Sequence, residues 1–205
     1  GPWHEATIYA IAHTDLWCMA QMSFYRQLYD GKDWFRQKTP NGGSPQGLMD
    51  YYIDTAYPIE RAGEGRECIR VATYGDGATG AGGNDLFLLH PEGRQLNVHQ
   101  ALAACYNASG DSRYAPLVSK IPGYQPNLWD ARPVQGSASL PAAPSKIWPQ
   151  YGLAMLRSDE SPGYWSSGKA IAVFQVMTQG YSHDHRDKFG IMLHGAGRLF
   201  YPDYN

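Results

Sequence analysis

Apolar positions recur at helical spacing over the first part of the chain and at strand spacing over the last. Ile8, Ile11, Ala12, Trp17, Met19, Met22, Leu28 and Tyr29 predict a long helix over residues 5–30, with Gly31 as its C-cap. Residues 33–37 read as a short helical turn and Asn41-Gly-Gly-Ser-Pro45 as a loop. Further helices are expected over residues 48–57, ended by Pro58, over 96–106, and over 112–120 after the turn Asn107-Ala-Ser-Gly-Asp111. An apolar run, Ile69 to Tyr74, precedes a glycine-rich stretch over residues 75–83. That stretch lacks the Gly-Lys-Ser/Thr of a phosphate loop and the spacing of a dinucleotide fingerprint, so it reads as a surface or cleft loop.

Residues 121–150 differ in character. Pro122, Pro126, Pro133, Pro141, Pro144 and Pro149 punctuate a Ser/Ala/Gly-rich run that reads as a linker or an extended crossing segment. Strand-like runs follow over 151–157, 169–177, 188–193 and 198–201, separated by turn residues. The expected fold class is therefore α+β and multidomain: a helical region over 1–120, the Pro-rich linker over 121–150, and a β region over 151–205.

Composition narrows the function classes. The chain is 43% hydrophobic and 13% aromatic, enough for a sizeable core, and its net charge of −2 gives no footprint for nucleic acid or an anionic membrane surface. No run of about 18 apolar residues suggests a membrane-crossing helix. Cys18, Cys68 and Cys105 are odd in number and widely spaced, and read as small buried hydrophobes. Fifteen Tyr and six Trp supply packing first, and platforms for sugar rings second. The chain opens within apparent structure and stops just after Asp203, so it reads as a piece of a longer protein.

Two clusters carry candidate chemistry. The first is Gly180-Tyr-Ser-His-Asp-His-Arg-Asp187. In an extended segment His183, His185 and Asp187 share a side. The Gly195-Ala-Gly197 turn should then bring Asp203 back towards them on a hairpin. Two imidazoles and a returning carboxylate suit Zn²⁺, with Asp187 placed to orient a ligand. The plain alternative is a solvated His-rich loop. His194 faces a turn and is expected at the surface, while His90 and His99 read as structural. The second cluster is Glu5, Tyr9 and His13, at i, i+4 and i+8 on one helix face. It reads either as a solvent-facing stripe or as a cleft wall with Tyr9 as a proton-transfer group. Arg26, Arg157 and Arg186 could meet acidic groups on a ligand, with surface roles as the better expectation for each.

The order of these features resembles the heparinase II/III-like polysaccharide lyases. Gly1, Glu5 and Tyr9 carry a Gly-x-x-x-Glu-x-x-x-Tyr pattern, followed by Tyr74-Gly-Asp76, the Pro-rich crossing, and the strand Gly152-Leu-Ala-Met-Leu-Arg-Ser158. Gly180, His183, His185, Phe189, Gly197 and Asp203 carry the second pattern. The resemblance implies an (α/α) toroid, whose last helices would lie in residues 1–120, and an antiparallel β-sandwich beginning at residue 151. It implies a periplasmic or secreted lyase that cleaves a uronate-containing acidic polysaccharide by β-elimination. Tyr9 would be the acid, and in some members also the base, and His183 the catalytic histidine, with Glu5, His13 and Arg186 towards substrate. His185 and Asp203 would be two ligands of a structural Zn²⁺. Nucleic-acid and membrane partners are not implied, and a homodimer is compatible with the pattern. The family's upstream Asn-His pair and third zinc ligand are not among these residues. A zinc-dependent hydrolase and a non-catalytic glycan-binding protein of the same fold are the competing readings.

Overall fold

The computed structural model describes residues 35–61, 65–74, 87–90, 99–121, 139–177 and 189–201. The predicted helix over residues 5–30 and the glycine-rich stretch over 75–83 lie outside them. The described residues form a mixed α and β structure with two antiparallel sheets, one of three strands and one of five.

Helix α1 spans Pro45–Asp54. Its start is set by local chemistry: the Ser44 hydroxyl accepts from the Gly47 amide at 3.0 Å, and Pro45 fills the first helical position, where no amide hydrogen is needed. It therefore begins three residues before the apolar pattern suggests. Strands β1 (Glu60–Arg61), β2 (Glu67–Arg70) and β3 (Phe87–Leu89) make the small sheet in the order β1-β2-β3. Only the apolar run at 69–74 hints at it, because strands this short show no alternation. Helix α2 spans His99–Ser109, and α3 is a single turn, Ala115–Val118.

The large sheet runs β4 (Lys146–Trp148), β5 (Leu153–Arg157), β6 (Ala172–Val176), β7 (Gly190–Gly195) and β8 (Arg198–Tyr201), in sequence order. Four of these strands fall where the sequence pattern puts them. β4 lies within the stretch read as linker, where a three-residue Lys-Ile-Trp strand was hidden by flanking prolines.

Register defines the two faces of this sheet. Lys146, Met155, Phe174 and Met192 pair across one row, and Arg157, Ala172 and His194 across another. Side chains opposite one another in an antiparallel sheet share a face, and this face is buried. Leu153, Met155, Ala172, Phe174, Val176 and Met192 join α1, α2 and the small sheet in one core with Tyr52, Tyr57, Ile69 and Leu102. The opposite face carries Ile147, Leu156, Ile191 and Phe200, all exposed.

Candidate functional site

The residues that the sequence singles out for chemistry, Glu5, Tyr9, His13, His183, His185, Arg186, Asp187 and Asp203, all lie outside the described residues. The structure gives the frame around the second cluster. β7 begins at Gly190, just after the His-containing stretch, and β8 ends at Tyr201, two residues before Asp203. The two strands form the expected hairpin. Its turn is Ala196–Gly197, both at positive φ (47° and 74°), the two-residue geometry that matches the twist of an antiparallel pair. Leu193 pairs with Tyr201 and His194 with Leu199, so Phe200 is the extra residue of a bulge.

Phe189, at the entry to β7, has φ +68° and is 64% exposed. An aromatic residue in the left-handed region is uncommon. Beside the hairpin, Lys169, Ile171, Leu193 and Phe200 contribute to an open, mostly apolar depression of about 370 Å³. It continues the exposed apolar face.

Two residues expected at the surface are buried. Arg157 is 8% exposed and acts as a clamp. Its guanidinium donates to the carbonyl of Pro144 and to those of Asp54 and Ala56 at the end of α1. It also stands 4.9 Å from the ring centre of Tyr164, whose hydroxyl donates to the Ala56 carbonyl at 3.0 Å. Burial pushes the Tyr164 hydroxyl up to about 12. Lys146 pairs with Asp54, yet burial outweighs that cation and holds the Asp54 carboxyl above its ordinary value. The sequence cannot separate this arginine from a solvated one, since two of its partner carbonyls, on Asp54 and Ala56, lie about 100 residues away.

His194 is fully buried. Its ring stacks on Tyr57, with centroids 5.6 Å apart and planes 14° apart. Its Nε2 stands 3.7 Å from a Glu60 carboxylate oxygen, too far for a hydrogen bond, while the other Glu60 oxygen accepts from Arg70 Nε at 2.9 Å. Neither ring nitrogen has a hydrogen-bond partner among the described residues. Burial first, and the Arg70 charge second, push His194 down to about 4. Because Glu60 is already held by Arg70, it does not reverse that shift. The placement follows from strand period: His194 is two residues beyond inward-facing Met192.

Elsewhere, Tyr114 donates to Asp50 at 2.6 Å and Arg113 pairs with both Asp50 and Asp111, tying α3 to α1. Cys68 and Cys105 are buried and not joined in a disulfide, as the sequence suggests, and Cys18 lies outside the described residues. Among the described residues no group of three His, Cys, Asp or Glu side chains could hold a metal ion. No helix among them is long and apolar enough to cross a membrane. No family model, curated protein or solved structure matches the chain.

Proposed function

We propose that the protein is a polysaccharide lyase acting on a uronate-containing acidic polymer by β-elimination. The observation that carries the proposal is the β7–β8 hairpin. It supplies the strand after His183-x-His185 and the return strand that leads to Asp203. A second feature supports the fold on which the proposal rests. The five-stranded sheet has one face packed on helices and one exposed apolar face, as expected of one layer of a sandwich. The helices of residues 1–120 are then the end of a toroid, with the β1–β3 sheet inserted among them. The site of action is periplasmic or extracellular.

In this reaction the C5–H bond breaks as a base takes the proton. The electron pair forms the C4=C5 double bond, and the C4–O4 bond breaks with a proton delivered to the leaving oxygen. The C5 proton is weakly acidic, so charge developing on the uronate carboxylate needs donors already in place. Tyr9 and His183 share the acid and base work, an imidazole and a phenol each able to hold or move one proton. Glu5, His13 and Arg186 line the path of the polymer. His185 and Asp203 suit Zn²⁺ as an imidazole and carboxylate pair. The metal, when bound, would brace the hairpin and take no part in the proton transfers.

The assignment separates two histidines that look alike in sequence. His183→Ala should keep metal and fold while losing most elimination activity. His185→Ala should lose metal and melt at lower temperature, because a ligand is gone and Asp203 loses its partner. Tyr9→Phe should lower kcat by about 10²–10⁴-fold with little change in stability. Equal loss of metal in both histidine variants would make His183 a ligand and end its catalytic assignment.

A further inference from the structure

The connection from the end of α1 to β1, residues 54–60, lies against one end of the buried sheet face and is held at two points. Arg157 and His194 sit in the same cross-strand row, with Ala172 between them. Arg157 grips the Asp54 and Ala56 carbonyls, and His194 packs on Tyr57 and faces Glu60. One anchor carries a permanent charge and the other is a titratable ring, neutral while it is buried.

We infer that His194 is a proton-operated latch, closing the 54–60 connection onto the five-stranded sheet when neutral and releasing it when protonated. The charged and titratable groups facing the ring among the described residues are few. Tyr57 offers a ring face. Glu60 on β1 is paired with Arg70 on β2, and Cys68 sits opposite Glu60. The ring's neighbours in its own sheet, Ala172 and Leu199, carry no charge. A neutral imidazole fits there as a flat apolar body against Tyr57. An imidazolium would put a second buried cation on one carboxylate charge, with Arg70 already on one Glu60 oxygen and the ring 3.7 Å from the other, beyond hydrogen-bond reach. Water is the better place for that cation, and reaching it requires the ring, or the connection above it, to move away.

The direction of the pH effect follows. His194 is held below its ordinary value of 6.5, down to about 4, so the open and unfolded forms take up the proton first. Closure is therefore complete above about pH 6.5 and weakens as pH falls towards about 4, by up to tenfold per pH unit. The Tyr57 amide donates to the Arg70 carbonyl and the Ile59 amide to the Trp165 carbonyl, each at 2.9 Å, so both report opening.

Amide hydrogen exchange on the protein, corrected for intrinsic rates, tests the latch between pH 7 and about pH 5. Protection of Tyr57 and Ile59 should fall more than tenfold, while the β5–β6 amides hold. His194→Phe, which keeps the stacked ring and removes the titration, should abolish the fall. An unchanged fall in His194→Phe, or an equal loss across all strands, would overturn the inference. The His194 ring proton resonance, followed with pH in the unaltered protein, decides independently if that variant does not fold. Titration near 6.5 would mean a solvated ring and no latch; titration well below it is the expected result.

Discussion

The two faces of the five-stranded sheet are built from similar side chains and end in opposite surroundings. Met155, Phe174 and Met192 on one face are at most 4% exposed, while Ile147 and Ile191 on the other are 67% and 56% exposed. A sheet with one solvated face alternates apolar and polar residues. β5 reads Leu-Ala-Met-Leu-Arg and β6 Ala-Val-Phe-Gln-Val, so neither strand alternates in that way. Gln175 is the one polar residue of these two strands on the outer face, while Arg157 and His194 sit on the inner face, at the row where the sheet grips the connection after α1. The composition of the outer face is that of a buried one, which is why a sandwich layer is proposed.

The comparison can be broken by substitutions of matched size. Phe174→Ala on the inner face should cost about 3–5 kcal/mol, the usual penalty for an aromatic removed from a packed core. Arg157→Leu should cost about 2–3 kcal/mol, since it leaves the Pro144, Asp54 and Ala56 carbonyls without their charged donor. Ile147→Thr on the outer face should change stability by no more than about 0.5 kcal/mol in the 205 residues alone, where that side chain is exposed, and cost more where a second sheet of the proposed sandwich covers it. Chemical denaturation of the four proteins, measured side by side, checks the order. A large cost for Ile147→Thr would show that the outer face is covered in solution.

Four strands of the large sheet were legible in the sequence because they are long enough to show runs of Val, Ile, Leu and Phe between turn residues, and because the Gly195-Ala-Gly197 turn declares a hairpin; the three-residue β4, between prolines, was not. The small sheet was not. β1 and β2 begin or end on Glu60, Arg61, Glu67 and Arg70, which mask them as strands, and β3 joins them across the glycine-rich stretch, Ile69 pairing with Leu89. Helix α1 was found but misplaced, since its start is fixed by the Ser44 cap and not by apolar spacing. At the sites the lesson is sharper. Arg157 and His194 were both expected at the surface and are both buried, because a charged or polar residue reveals nothing in sequence about the backbone carbonyls or stacked ring that receive it. The candidate catalytic residues stand on motif and spacing, and all lie outside the described residues.

The account turns on whether the bond between sugars breaks by elimination. Ultraviolet absorbance and product mass, measured together on uronate polymers incubated with the protein, test this directly. The account predicts products that absorb as conjugated unsaturated uronates, with masses that sum to the mass of the intact chain. Products whose masses sum to the chain plus water, with no new absorbance, would make the protein a hydrolase. Binding without any cleavage across the panel would make it a glycan-binding protein, and either result would contradict the lyase assignment.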